Sequence, residues 1–262
     1  MTKNLSLIDG DLVAYRCAAS CEPMSTKPER EPVDFAIQRL DELMWKIIAT
    51  TDVQEYKVFL SGGDNFRKLL YPEYKANRKD VRVPEYLAEC QHFLIKNWNA
   101  EMIVGMEADD AIGIHHHKDH SIIVSIDKDF KQLEGTHYNF VKDLIEDVDE
   151  DEADYNFWRQ MLMGDRADNI KGVGGIGEVK SERLLRPLTP NERAAAVLNL
   201  YMHDLERFTL NMKLLRILRS QKEYEDIIGE INENSLGKSE REESTETGAR
   251  QDPDDISRIG EG

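Results

Sequence analysis

Four short apolar runs in this chain each end at a carboxylate. Asp9 closes the run Leu5, Leu7, Ile8, and Asp64 follows Val58-Phe59-Leu60. Glu107-Ala108-Asp109-Asp110 follows the run Met102 to Met106, and Asp127-Lys128-Asp129 follows Ile122 to Ile126. Two further acids, Asp165 and Asp168, precede a glycine-rich turn. Short apolar runs at Leu5 to Ile8, Tyr56 to Leu60, Met102 to Val104, Ile122 to Ile126 and Tyr138 to Val141 read as strands, most of them buried on both faces. Helical spacing lies between them: Phe35, Ile37, Leu40, Leu43, Met44, Ile47 and Ile48 form one apolar stripe, and Leu87, Cys90, Phe93, Leu94 and Trp98 form another behind Pro84. Such alternation implies an α/β fold with a parallel sheet covered on both faces. Acids that follow its strands converge on one edge, where open α/β folds place their sites. Neighbouring side chains cannot neutralise so many negative charges, so the pattern asks for hard divalent cations such as Mg²⁺.

After Val141 the strand pattern stops. The acidic run Asp147 to Asp154 reads as a solvated loop that favours the N-terminus of a helix at Tyr155 to Met163. Further helices are expected from about Glu178 to Leu185, stopped by Pro187, then at Pro190 to Tyr201 and Leu205 to Ile228. The expected division is an α/β core over residues 1–145, with a clamp segment at 66–98, a helical region over 146–228, and an acidic tail over 229–262. That tail is poor in large apolar residues and is expected to be disordered.

The net charge of −17 argues at first against a polyanionic partner. Its distribution weakens the objection. The tail from Gly229 onward has ten acids and four bases, and the nine carboxylates above account for nine more negative charges, which leaves the rest of the chain near −2. No apolar run approaches the ~20 residues of a membrane span and Met1-Thr2-Lys3 leads straight into a strand pattern, so the expectation is a cytoplasmic chain with no membrane contact. Cys17, Cys21 and Cys90 read as reduced, buried thiols. His115-His116-His117 with His120 is not expected to ligate a metal, since only His116 and His120 would share a helix face.

Each motif has a plain structural alternative. Glu107, Asp109 and Asp110 suit an acidic first turn of a helix as well as a metal site. Asp127 and Asp129 suit a charged turn, although a strongly apolar strand feeds it. Between Asp64 and Glu107, bases interleave with aromatics: Phe66-Arg67-Lys68, then Tyr71-Pro72-Glu73-Tyr74-Lys75-Ala76-Asn77-Arg78-Lys79 and Arg82. That composition suits phosphate contacts with stacking on unpaired bases, or a solvated loop; its position beside an acid cluster favours the first. Gly164-Asp165-Arg166-Ala167-Asp168-Asn169-Ile170-Lys171 leads into Gly172-Val173-Gly174-Gly175-Ile176-Gly177 and a helix. Close glycines let a backbone approach a phosphate at a helix N-terminus. The turn lacks the ending of a nucleotide-binding P-loop, and a motif that grips a DNA backbone without reading bases fits better.

In order, Asp9, Tyr74-Lys75-Ala76-Asn77-Arg78, Glu107-Ala108-Asp109-Asp110, Asp127-Lys128-Asp129, Gly164-Asp165…Asp168-Asn169 and Gly172-Val173-Gly174-Gly175-Ile176-Gly177 resemble the flap endonuclease and 5′→3′ exonuclease family. The likeness is to bacteriophage 5′ nucleases and the 5′-nuclease domain of bacterial DNA polymerase I, over about Leu5 to Arg219. The resemblance implies a PIN-like central sheet flanked by helices, with a helix–three-turn–helix at about 156–186. It implies that Asp9, Asp64, Glu107, Asp109 and Asp110 form or support a first metal site, and that Asp127, Asp129, Asp165 and Asp168 complete it and hold a second ion. Lys75 and Arg78 would contact the scissile phosphate, and Tyr74 would stack. Arg67, Lys79, Lys171, Gly172, Gly174, Gly175, Gly177 and Lys180 would bind DNA, with K⁺ on the hairpin carbonyls.

The implied reaction is two-metal phosphodiester hydrolysis, with Mg²⁺ or a substituting Mn²⁺, giving 5′-phosphate ends on DNA or an RNA/DNA hybrid with a free 5′ end or flap. A monomer is expected, in a host cytoplasm if phage-encoded, with the tail a docking segment for a replication protein. The competing readings are a PIN-like ribonuclease, which normally lacks the glycine hairpin, and a catalytically silent DNA-binding scaffold, which would have lost site acids.

Overall fold

The computed structural model describes residues 3–79 and 81–233. A six-stranded sheet forms the centre: β1 (Leu5–Asp9), β2 (Glu55–Asn65), β3 (Glu101–Gly105), β4 (Ser121–Val124), β5 (Gly135–Asn139) and β6 (Leu144–Val148), in the order β3-β2-β1-β4-β5-β6. β1 pairs in parallel with both β2 and β4, β3 and β5 extend the parallel arrangement outward, and β6 is antiparallel at the edge. The chain leaves β1 for β2 on one side and later returns to β4 on the other. This creates a switch point at the C-terminal end of β1, where Asp9 sits.

Alternation along the central strands divides two cores. Ile8, Val58, Leu60, Ile122 and Val124 face α1 (Gly10–Ala19), α2 (Val33–Thr51) and α4 (Leu87–Trp98). Leu7, Phe59 and Ile123 face α5 (Ala108–His115) and Ile217 from the C-terminal part. A short helix α3 (Phe66–Leu70) and a 3₁₀ turn at Ala76–Arg78 follow β2. The helical part packs α6 (Glu150–Met163), α7 (Glu178–Leu185), α8 (Pro190–Leu200) and α9 (Leu205–Leu215) around Tyr155, Met161, Leu162, Leu185 and Val197. Between α6 and α7 lies a two-stranded hairpin, β7 (Gly164–Asp165) and β8 (Ile170–Lys171).

Three elements differ from the sequence expectation. β6 is a strand where none was expected; it is an open edge, so acids on it remain solvated and its pattern is not apolar. It also runs past residue 145, the expected boundary. α6 begins at Glu150, with Asp149 accepting from the Glu152 amide at 2.8 Å, so the acidic run Asp147 to Asp154 is divided between the end of β6 and the cap and first turns of this helix rather than forming a loop before it. The expected helix Leu205 to Ile228 is broken at 216–219, and 221–233 forms a separate helix that includes residues 229–233. The rest of the expected disordered tail, 234–262, lies outside the described residues. The break is a tertiary effect: the Ile217 and Leu218 amides donate to Gln132 Oε1 (2.9 Å) and Asp110 Oδ1 (3.1 Å) in place of helical carbonyls.

Glycines of the 164–177 segment are of two kinds. A Cβ on Gly172 would meet the Leu162 carbonyl at 2.3 Å, whereas nothing lies within 4 Å of one on Gly174. Gly172→Ala is therefore expected to lower stability by about 1–3 kcal/mol through overpacking, and Gly174→Ala to leave the thermal midpoint unchanged; parallel melting curves check both.

Candidate functional site

Asp9 ends β1 and caps α1, accepting from the Leu12 amide at 3.2 Å. Its other oxygen accepts from the Ser125 hydroxyl at 2.8 Å, and that hydroxyl oxygen accepts the Asp127 amide at 3.0 Å, so one serine fixes the ends of two neighbouring strands. Glu107 and Asp110 form a capping box at the start of α5, which leaves Asp109 between them on the first turn. Asp127 caps the 3₁₀ turn Lys128–Gln132 that carries Asp129. Asp165 accepts from the Ala167 and Asp168 amides, shaping the loop between β7 and β8.

The carboxylates fall into two classes. Asp9, Asp109, Asp127, Asp129 and Asp165 have no ion-pair partner among the described residues, while Asp110, Glu107 and Asp168 are paired with Arg67, Lys75 and Arg78. Charge crowding is visible in the first class. Burial, with the charges of Asp11 and Asp127, pushes Asp9 up to about 7. Burial, with Asp127 and Asp165 nearby, pushes Asp129 up to about 7. Asp109 is held well above the usual carboxylate range by burial and by Asp9, Glu107 and Asp127. Glu107 is the contrast: burial acts against its charge, but Lys75 and Arg67 outweigh it and hold the carboxyl low. As the side chains stand, no three acids of the described residues close on one point. The donor set still suits hard divalent cations, being all oxygen, uncompensated and destabilised by mutual repulsion until a cation is present.

Several expected site residues have other surroundings. Arg67 is 3% exposed and Asp110 is 0% exposed. The Arg67 guanidinium clasps Asp110 at 2.5 and 2.9 Å and donates to the carbonyls of Leu214 and Arg216 at 2.8 Å each, so it is not presented to DNA. Asp110 also accepts from the Glu107 and Leu218 amides, which leaves it a supporting rather than an open carboxylate. Asp64 is exposed in the irregular end of β2, with no hydrogen bond to the other acids, and Asn65 beside it donates to Glu107 at 3.3 Å instead. Tyr74 is buried in the helical core and offers no stacking face. Gly172 is packed against backbone rather than open to a ligand.

Lys75 and Arg78 do reach the site, ion-paired to Glu107 and Asp168. Lys79, Lys171, Gly174, Gly175, Gly177 and Lys180 are exposed, and the Lys180 ammonium donates to the Gly175 carbonyl at 2.8 Å. α5 ends at His115, so His116 and His120 share no helix face; both ring nitrogens of His116 are hydrogen-bonded, to Ser121 and the Glu134 carbonyl.

Sequence reading missed Asp11, Ser61 and Ser125. Asp11 accepts from the Ser61 amide at 2.9 Å, and burial raises its carboxyl. Its signal was present in Asp9-Gly10-Asp11, where Gly10 lets α1 start directly against β2; a Cβ there would lie 2.7 Å from the Phe59 carbonyl. A groove of about 690 Å³ runs from Asp127, Asp129 and Asp165 to Arg159 and Gly177. A second recess, of about 550 Å³, is lined by residues that include Lys68, Lys75, Arg78 and Lys79 with Glu107.

Residues 4–158 match the family described as 5′-3′ exonuclease, N-terminal resolvase-like domain. DNA polymerase I of Pseudomonas aeruginosa is 31% identical over 201 residues, which are 69% of this chain and 22% of that protein. The chain thus spans about a fifth of the length of that relative. The flap endonuclease of Escherichia phage T5 is 27% identical over 212 residues, 70% of each chain. Among solved structures, the bacteriophage T5 flap endonuclease in a complex with DNA and metal ions shares the fold, with a TM-score of 0.64 at 19% identity over 88% of this chain and 98% of that one. The zinc-bound T5 5′-exonuclease gives 0.65 at 20% identity over 88% and 99%.

Two outcomes follow. Asp9 and Asp129 titrate near 7 in the folded chain and near 4 unfolded, so their protonated forms stabilise the fold at low pH and this is lost as pH rises from about 4 through 7. In EDTA the melting temperature is expected to fall between pH 5.5 and 8, Asp9→Asn to flatten that slope, and Mg²⁺ to restore more stability at pH 8 than at pH 5.5; melting scans decide. Arg67→Ala leaves the buried Asp110 carboxylate with backbone amides but no opposite charge, and is expected to cost about 3–5 kcal/mol in denaturant unfolding.

Proposed function

The chain belongs to the 5′-3′ exonuclease family through its N-terminal, resolvase-like domain, and on that premise we propose that it is a structure-specific, metal-dependent 5′ nuclease that hydrolyses phosphodiester bonds of DNA carrying a free 5′ end or flap. The observation that carries this reading is the set of five uncompensated aspartates, Asp9, Asp109, Asp127, Asp129 and Asp165, gathered from strand ends and from the loop beyond α6. In the proposal these acids hold two Mg²⁺ ions, or Mn²⁺, with Glu107 and Asp168. Bound there, such ions would supply a lowered water pKa and charge stabilisation on the attacking and leaving oxygens, with 5′-phosphate products expected.

The protein's own groups do the rest. Lys75 and Arg78 stand beside the acids at the mouth of the basic recess and neutralise the phosphodiester as it approaches. Lys68 and Lys79 extend the positive charge along that recess. On the other side, the exposed Gly174–Gly177 backbone and the N-terminus of α7 meet duplex phosphates, flanked by Lys171 and Lys180, with K⁺ on the turn carbonyls. Contacts of this kind read backbone and shape, so base identity matters little. The α/β part carries the chemistry and the helical part holds the duplex.

The test is a 5′-flap duplex labelled at either end, incubated with Mg²⁺ or EDTA. Cleavage near the junction is expected in Mg²⁺ only, lost in Asp127→Ala/Asp129→Ala, and lowered about 10²–10³-fold in kcat by Lys75→Ala. Tight DNA binding without cleavage in Mg²⁺ or Mn²⁺ would show a silent scaffold instead.

A further inference from the structure

Tyr74 is 4% exposed, its ring packed with Tyr155, Phe157, Met161 and Ile170 in the helical core. A base has no face of it to stack on. Its hydroxyl points the other way, 2.8 Å from Glu107 Oε2 and 3.0 Å from Asp168 Oδ2. Glu107 belongs to the sheet half through α5, and Asp168 to the helical half through the β7–β8 loop. One phenol oxygen therefore lies within hydrogen-bond reach of acids from both halves. A phenol is protonated at neutral pH, so the group faces both carboxylates as a donor.

The neighbouring residue depends on the same point. Lys75 has a left-handed backbone, φ +56°, unusual for a lysine. That conformation is held by its amide, which donates to the Asp168 carbonyl at 3.0 Å. Its ammonium pairs with Glu107 and lies 4.9 Å from the Tyr74 ring centroid. Asn77 and Asn169 add reciprocal bonds, to the Arg166 carbonyl at 2.8 Å and the Glu73 carbonyl at 2.9 Å. The clamp base is thus latched to the β7–β8 loop around Tyr74.

We infer that Tyr74 is a positioning residue whose buried hydroxyl fixes the spacing of Glu107 and Asp168, and so the geometry in which the two halves of the site share divalent cations. This rests on the metal-dependent reading above. Groups that hydrogen-bond a metal-ligating carboxylate orient it, and their removal typically weakens metal binding by about 10–100-fold. A stacking role predicts something different: phenylalanine would serve as well as tyrosine.

The experiment measures Mn²⁺ binding to the full chain by calorimetry without DNA, and kcat and KM on the 5′-flap duplex, for the wild type, Tyr74→Phe and Tyr74→Leu. Phenylalanine keeps the ring and its packing, so the melting temperature of that variant is expected near wild type. Its Mn²⁺ dissociation constant is expected to rise about tenfold or more, with kcat at subsaturating Mn²⁺ reduced and KM for DNA unchanged. The leucine variant is expected to show the same loss with a lower melting temperature. Wild-type Mn²⁺ affinity in Tyr74→Phe, or a defect confined to KM for DNA, overturns the inference while the nuclease reading stands. A wild-type chain that binds no Mn²⁺ overturns both.

Discussion

The buried contact between Arg67 and Asp110 is the constraint from which the rest of the site is built. Arg67 comes from the helix after β2, Asp110 from the first turn of α5, and the carbonyls of Leu214 and Arg216 from the end of α9. Asp110 in turn takes the amides of Glu107 and Leu218. Two desolvated charges of this kind add little net stability compared with apolar residues of the same volume, but each is costly without the other. Its effect is therefore on arrangement. Few placements of these segments satisfy the forked guanidinium and both carboxylate oxygens together, and the one observed sets Glu107, begins the clamp segment and draws the chain across the sheet at 216–219.

From that anchor the acids separate by function. For Glu107, Lys75 and Arg67 hold the carboxyl low despite burial, whereas for Asp168 burial outweighs Lys75 and Arg78 and raises it. For Asp9 and Asp129, which have no ion-pair partner among the described residues, burial and neighbouring charge push the carboxyl toward neutrality. A fold that keeps several such groups together gives up stability at neutral pH, which is the usual mark of a site organised for something other than folding. The Ser125 hydroxyl shows how it is kept together, because it bonds the Asp9 carboxylate and the Asp127 amide at once.

The sequence made the central parallel strands legible, because buried strands between helices are apolar throughout and each ends in an acid. The edge strand Leu144–Val148 was not, because its solvated edge tolerates Glu146 and Asp147. Spacing alone also gathered Asp9, Asp109, Asp127 and Asp129, since the switch point of the sheet dictates where strand ends meet. It failed for Arg67 and Tyr74 for one shared reason. Composition marks a basic or aromatic residue in a clamp segment as surface, yet both turn inward to partners 33 to 147 residues away along the chain, at Asp110, Leu214, Glu107 and Asp168. Nothing local in Phe66-Arg67-Lys68 separates the buried Arg67 from the exposed Lys68 beside it.

The same geometry bears on how, under the proposed function, a chain of net charge −17 would receive a polyanion. Screening limits the reach of exposed charges to about 8 Å at physiological ionic strength, so the sign of the local surface matters more than the total. The recess beside the acids holds Lys68, Lys75, Arg78 and Lys79 against the single carboxylate of Glu107. Lys75 and Arg78 are engaged with Glu107 and Asp168 in the free chain, and Arg78 is exposed, which makes its pair easy to exchange. Under the proposed function, a metal cation that satisfied those two carboxylates would release both bases at the point where a phosphate would arrive. The acids and the bases of the site thus restrain each other in the free chain, and the Tyr74 hydroxyl sits at the junction between them.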